Sequence, residues 1–225
     1  MAVISRLDPT LGGDHTALVL FDALNGYLYP KNNPEKSVFL KEKKILPNLK
    51  ALQAGARAAG MTTFYPMGAH AADGSDTVLR LTDTDINLKP MTGKPRPIGL
   101  HMDKNSKDAQ IPDAFKPLKT DVLVPKHRWS AFFDTDLHFH LRMRNIDTII
   151  LAGGSTDVGI ASTIFAARDL DLGLVIVRDA CYSMRGPNHD FLMDRIFARM
   201  GRILSVADTV KLMEAGTRKK KPKRK

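Results

Sequence analysis

Three runs of consecutive apolar residues constrain this chain more than any other feature. They are TALVLFD at 16–22, DTIILA at 147–152 and GLVIVR at 173–178. A strand with one wet face alternates apolar and polar residues. These runs do not alternate, so both faces must be covered, which is the condition of a strand inside a parallel sheet. Helical spacing fills the intervals. Val38, Phe39, Ile45, Leu49, Leu52, Ala56 and Ala59 recur at that spacing within 36–59, Pro47 demands a kink or a helix start, and Gly60 supplies a stop. Further helices are predicted from Asp134 or Thr135, either of which can cap, to about Asn145, then over 157–170 and 189–200. Shorter strands are predicted at 61–65, closed by Pro66, at 121–124 and at 203–206. The stretch 66–120 is rich in Gly, Pro, Asp and Lys and has weak periodicity, so it reads as a long loop with one short helix at most; loops of that length usually cover a site. Strands alternating with helices predict a three-layer α/β/α sandwich around a mostly parallel sheet of about six strands.

Composition narrows the class. A chain of 225 residues fits one domain, placed here at 1–217. The only cysteine is Cys181, which rules out an intrachain disulfide and a Cys-rich zinc module. The net charge of +10 is misleading until it is located. Seven of the last eight residues, 218–225, are basic, and residues 1–217 carry 27 basic against 24 acidic side chains, a net of +3. The basicity is a tail, expected to be disordered and suited to a weak anionic partner or a nuclear address, and otherwise simply solvated. No apolar run approaches the ~18 residues of a membrane span, and the start carries no apolar signal region. The expected location is cytoplasmic. The body does not interleave aromatic with basic residues, which argues against a nucleic-acid enzyme, and GGSTDVG lacks the lysine of a phosphate-binding loop, so no cofactor motif is present.

In open parallel sheets, sites form beyond the carboxyl ends of the strands. Asp22 closes the first strand, Lys126 follows the strand at 121–124, and Gly153 to Gly159 lead from the strand at 147–152 into a helix. Taken singly, an aspartate closing a strand is as often a turn residue, and a lone lysine is usually on the surface. Together they can form a proton-transferring pair beside free backbone amides. Trp129 is a candidate pocket wall. His70, Arg80 and Arg96 are candidates to meet a substrate carboxylate. His70 also has Asp73 and Asp76 nearby, but that spacing does not diagnose a metal site.

ALVLFDALNGYL at 17–28, PKHRWSAFFDTDL at 125–137 and ILAGGSTDVGIASTIFAARDLDLGLVIVRDA at 150–180 together resemble the isochorismatase-like hydrolase superfamily, which includes cysteine hydrolases such as nicotinamidases and N-carbamoyl amidases. The resemblance spans most of 16–210. It implies a catalytic aspartate at Asp22, a catalytic lysine at Lys126, a cis peptide near Gly154–Ser155, an oxyanion hole from the amides around that turn, and a homodimer or homotetramer. It also implies that the position of the nucleophilic cysteine is occupied here by Gly159.

A glycine cannot form a thioester, so the covalent chemistry of the cysteine hydrolases is not available at that position. Cys181 lies beyond the next strand and does not replace the missing thiol. Two readings follow. One is a hydrolase of a small carboxylated or cyclic substrate, in which Asp22 acts as general acid or base without a covalent intermediate. Isochorismate hydrolases resemble the chain in having glycine at this position, although they carry an aromatic residue and a histidine where this chain has Ser155 and Asp157. The other is a non-catalytic protein that binds a small molecule or another protein on the same scaffold.

Overall fold

The computed structural model describes residues 10–73, 75–76 and 102–220. Six strands form one sheet: β1 (Thr16–Phe21), β2 (Thr63–Gly68), β3 (Val122–Lys126), β4 (Thr148–Gly154), β5 (Gly173–Tyr182) and β6 (Arg202–Leu204). Their order across the sheet is β3-β2-β1-β4-β5-β6, and every pairing is parallel. The helices are α1 (Asn25–Leu28), α2 (Pro34–Glu42), α3 (Ile45–Ala58), α4 (Leu137–Arg142), α5 (Ala161–Asp169), α6 (Asn188–Phe191) and α7 (Val206–Lys220).

Alternate residues of the central strand β1 divide the core. Ala17, Val19 and Phe21 pack with Leu137 and Leu141 of α4, Ile164 of α5, and Met193 and Phe197. Leu18 and Leu20 pack on the other face with Leu49, Leu52 and Ala56 of α3 and Met213 of α7. Both faces are dry, which is why β1 reads as an unbroken apolar run. The three-layer α/β/α sandwich and its six strands are as the sequence predicts.

Several boundaries differ, each for a local reason. The helical stretch 36–59 is two helices, because Lys44 adopts a left-handed conformation (φ 53°) between them. Pro47 then falls in the first turn of α3, where its missing N–H is harmless. Pro66 lies inside β2 rather than closing it. Its carbonyl accepts from the Asp22 amide at 2.9 Å. Having no N–H to donate, Pro66 cannot continue the ladder, and the regular β1–β2 pairing ends at Val19 and Phe64. Asp134 is left-handed (φ 54°), and the cap of α4 is neither it nor Thr135 but Asp136, whose side chain makes no capping bond; Thr135 Oγ1 accepts from the Leu137 amide at 3.4 Å from one residue earlier, so α4 is shorter than predicted. The predicted helix at 157–170 opens with a π-helical turn, Thr156–Ile160, and the one at 189–200 is α6 followed by a π-turn and a 3-10 turn. Two 3-10 turns, Lys107–Ala109 and Asp113–Phe115, occur in the described part of the long loop.

Strand β5 runs past the apolar stretch 173–178, through Tyr182. The β4–β5 register jumps from Leu151 opposite Ile176 to Gly153 opposite Cys181, and Asp179 sits in the bulge. There its carboxylate accepts from the Val206 amide at 2.8 Å, and its carbonyl from Asn48 at 2.6 Å. The bulge brings Tyr182 opposite Gly154. Helix α7 is not predicted at all, although Val206, Val210 and Met213 follow helical spacing. Gly55 lets α3 approach it, since a Cβ there would lie 3.0 Å from Val210. Helix α7 runs through Lys220, so the boundary expected at 217 and 218 falls inside it; residues 221–225 lie outside the described residues.

Candidate functional site

Strand order reverses direction between β1 and β4, and the crevice at their carboxyl ends is where such a sheet places its site. Asp22 stands there. Its backbone is left-handed (φ 48°), a conformation aspartate tolerates better than most residues. The turn is held by the amide bond to Pro66 and by the Leu24 amide, which donates to the Asp22 carbonyl at 2.8 Å. The side chain swings across the end of β2. One carboxylate oxygen accepts from the Gly68 amide at 3.2 Å and the other from Lys126 Nζ at 3.1 Å.

Lys126 is the last residue of β3, opposite Gly68. Both charged side chains are nearly enclosed, Lys126 at 7% and Asp22 at 9% exposure. Lys126 Nζ also lies 4.6 Å from the centre of the Phe21 ring, a cation–π contact, and 3.5 Å from the Arg128 carbonyl. The predicted acid–amine pair is therefore brought together.

The same phenyl ring decides what position 159 can be. A Cβ added to Gly159 would lie 2.3 Å from a carbon of the Phe21 ring. The ring is 1% exposed and occupies the space a side chain would need. Phe21 was not singled out in the sequence, because a phenylalanine ending a buried strand looks like ordinary core.

The turn after β4 is also as the resemblance implies: the Gly154–Ser155 peptide bond is cis. Gly154 is pressed against Tyr182, whose ring carbons would lie within 2.5–2.7 Å of an added Cβ. The Ser155 carbonyl accepts from the Val158 and Ile160 amides at 3.3 and 3.1 Å, so those two amides are already used. Thr163 fastens the turn to the segment after β3. Its hydroxyl donates to the Gly159 carbonyl at 2.7 Å and accepts from the Ala131 amide at 3.0 Å.

A clasp from residues 183–189 holds the turn from outside. Ser155 Oγ donates to Asp157 in a very short bond. Arg185 lies 3.3 Å from the same Asp157 oxygen and 3.4 Å from Ser155 Oγ, Asn188 donates to the other oxygen at 2.9 Å, and Thr156 Oγ1 bonds His189 Nδ1 at 2.9 Å. Burial alone would raise the Asp157 carboxyl, but the bonds from Ser155, Asn188 and Ser183 outweigh it and hold the carboxyl below its ordinary value. A carboxyl depressed in the folded state stabilises the fold above the unfolded-state pKa of about 3.9 and loses that contribution as pH falls through the folded value. Acid unfolding curves of wild type and Asp157→Asn should therefore converge below about pH 4, with wild type the more stable at pH 7. Equal stability at pH 7 would mean that the clasp contributes nothing.

Other predicted residues fall beside this centre. His70 Nδ1 lies 3.3 Å from Asp76, which also meets His127 Nε2 at 3.1 Å, and the two imidazoles make an edge contact at 5.6 Å. Among the described residues, no group of three or more His, Cys, Asp or Glu side chains is arranged to hold a metal ion. Trp129 is 55% exposed, and no described contact brings it to Asp22 or Lys126. Arg80 and Arg96 lie outside the described residues. Cys181 is buried in the core, its Sγ 3.6 Å from the Leu151 carbonyl, and burial pushes its thiol up to about 12. A thiol that resistant to ionisation is a poor nucleophile. A disulfide exchange reagent at pH 8 should label it only after denaturation; rapid labelling of the native protein would contradict this placement.

A second cation near the site has no cue in the sequence. Lys36, in the first turn of α2, sends its ammonium to 4.9 Å from the centre of the Tyr27 ring and 5.8 Å from that of Tyr182. Lys36 is one of five lysines between positions 31 and 44, and only the fold distinguishes it.

Comparison with known proteins follows the same lines. A profile of the isochorismatase domain matches residues 16–208. The uncharacterized isochorismatase family protein YecD of Escherichia coli O157:H7 is 30% identical over 198 residues, covering 88% of this chain and 96% of that protein. The ureidoacrylate amidohydrolase RutB of Cronobacter turicensis is 29% identical over 184 residues, 79% of each chain. Among solved structures, an isochorismatase family protein from Burkholderia thailandensis superposes with a TM-score of 0.70 at 26% identity, covering 92% of this chain and 97% of that one. A cysteine hydrolase from Pseudomonas syringae pv. phaseolicola shares the fold, with a TM-score of 0.73 at 23% identity over 93% and 95% of the two chains. A match running from the first strand to the start of the last helix leaves no part of the sheet outside it, and this chain belongs to the isochorismatase family.

Proposed function

We propose that the protein is a hydrolase that uses Asp22 as its proton carrier and forms no covalent enzyme intermediate. The observation that carries this reading is the Asp22–Lys126 contact at 3.1 Å beside a turn whose nucleophile position is glycine backed by the Phe21 ring. Lysine and aspartate are the parts a non-covalent hydrolysis needs; a thiol is the part it does without. The substrate class that fits is a small vinyl ether, carboxylated or cyclic. Asp22, paired with Lys126 before substrate arrives, takes up a proton from solvent as substrate binds and delivers it to the enol carbon, and the ether carbon becomes an oxocarbenium. Water adds to that carbon and returns a proton to Asp22. The resulting hemiketal then breaks its carbon–oxygen bond to release an alcohol and a ketone, so one water is consumed and the enzyme is regenerated. Lys126 orients the Asp22 carboxyl through these steps. A homodimer or homotetramer is part of this proposal, as in the family.

Ureidoacrylate amidohydrolases are among the relatives, so an amide substrate is the natural rival. It is disfavoured because an amide is hydrolysed in the cysteine hydrolases through a thiol, and this site has neither the thiol nor the room for one. One observation favours the non-catalytic reading instead: the Asp22 and Lys126 charges satisfy one another and are nearly enclosed. A turnover screen separates the three. Release of ketone from isochorismate-type vinyl ethers supports the proposal, ammonia from N-carbamoyl or ureido substrates overturns it in favour of an amidase, and no turnover in either series supports the binding protein.

A further inference from the structure

Half-buried lysines normally end on a carboxylate. Among the described residues, Lys36 has no carboxylate within ion-pairing distance, and the groups that flank its ammonium are the ring faces of Tyr27 and Tyr182. Tyr182 is the side chain that packs on Gly154 at the cis turn, so it links Lys36 to the crevice that Asp22 enters from β1. Burial and the Asp22 charge act on all three residues. Burial lowers the Lys36 ammonium, and the Asp22 charge pulls it partly back. Burial raises both phenols well above their ordinary range, and Asp22 raises them further. Both tyrosines therefore stay neutral and present intact π faces to the cation. An ammonium short of water and counter-ion gains more from an arriving anion than a solvated lysine does.

We propose that Lys36, held between Tyr27 and Tyr182, is the anion-binding subsite of this crevice and takes the carboxylate of a small planar substrate. The inference rests on the hydrolase reading for its substrate, but the subsite itself is testable by binding alone. Tyrosine faces on either side suit an unsaturated ring or a conjugated acid, whose flat body can stack while its carboxylate meets Nζ. The Asp22 charge acts on Lys36 and on both tyrosines, so a carboxylate anchored at Nζ is held in the neighbourhood of the reacting acid.

Calorimetric titration of the full chain with benzoate, and with benzamide as its neutral isostere, tests this. Wild type should bind benzoate about tenfold or more tightly than benzamide, the preference that one partly desolvated ion pair supplies. Lys36→Met should abolish that preference and Lys36→Arg should keep part of it, with melting temperatures confirming that both variants fold. Asp22→Asn should retain the preference, because it leaves Lys36 in place. Equal binding of the two probes by wild type, no detectable binding of benzoate at 10 mM (roughly the weakest affinity a single anchored ion pair implies), or a preference that survives Lys36→Met each overturns the subsite. If benzoate selectivity depends on Lys36 while vinyl ethers go untouched, the subsite stands and the hydrolase reading falls.

Discussion

Replacing Asp22 by Asn should lower vinyl ether turnover roughly a thousandfold, within the range that a positioned proton donor contributes. The same change should also destabilise the fold. Asn keeps one acceptor oxygen, enough for the Gly68 amide or for Lys126 but not for both, and it removes the charge opposite an ammonium that is 7% exposed. Breaking an enclosed pair from one side costs about 3 kcal/mol, or a fall in Tm of roughly 6–12 °C for a chain of this size. The face of Phe21, 4.6 Å from Nζ, offsets only part of this, on the order of 1 kcal/mol. Lost turnover alone would not prove a chemical role, since a loosened site also loses turnover. Asp22→Asn with Lys126→Met resolves the ambiguity. Met is close to Lys in volume and leaves no stranded charge, so the double variant should recover most of the lost Tm while remaining inactive. Turnover by Asp22→Asn within tenfold of wild type would remove Asp22 from the mechanism. A double variant no more stable than the single one would show that the pair is not electrostatically coupled as its geometry implies.

The layers and the pair were legible for the same reason: each is written in short, local patterns. Unbroken apolar runs such as 16–21 need no partner to be recognised, and Asp22, Lys126 and Gly159 lie at strand ends or in turns, where the topology leaves few places for chemistry. What was not legible depends on distance across the fold. Phe21 matters because a ring from β1 fills space beside a turn some 140 residues later in the chain. Lys36 matters because the β5 bulge delivers Tyr182 to it, and no composition rule predicts a bulge. The clasp on Asp157 draws on Ser183, Arg185 and Asn188, polar residues that look like any solvated loop until they converge on one carboxylate. Helix α7 was legible in principle at Val206, Val210 and Met213, but the basic run that follows masks an amphipathic pattern.

The sharpest structural prediction concerns Gly159. In a helical turn, glycine to alanine usually gains up to about 1 kcal/mol through reduced backbone entropy. Here the sign should reverse. The new methyl would lie 2.3 Å from one Phe21 ring carbon and 2.4 Å from the next, and the ring has no free side to turn into. Overpacking of a filled core costs about 1–3 kcal/mol, and a contact of 2.3 Å belongs in the upper part of that range, about 2–3, so Gly159→Ala should be destabilised by roughly 1–2 kcal/mol in urea titrations after the backbone gain is subtracted. Phe21→Val should cost more, about 2–4 kcal/mol, because it leaves a cavity between β1 and the turn. Combined, the two changes should cost clearly less than their sum, since the added methyl enters the space the ring vacates; a favourable coupling of about 1 kcal/mol or more is expected for residues in direct contact. Strict additivity would mean that Phe21 and position 159 do not compete for the same volume. The cycle also bears on chemistry. If it closes as expected, Gly159→Cys alone cannot create a cysteine hydrolase, because its sulfur has no room. Only Gly159→Cys in the Phe21→Val background offers a thiol beside Asp22 and Lys126, and alkylation by iodoacetamide should detect that thiol in the double variant while Cys181 stays protected. The ring and the glycine thus act as one unit: the residue before Asp22 fills the space that any side chain at position 159 would need.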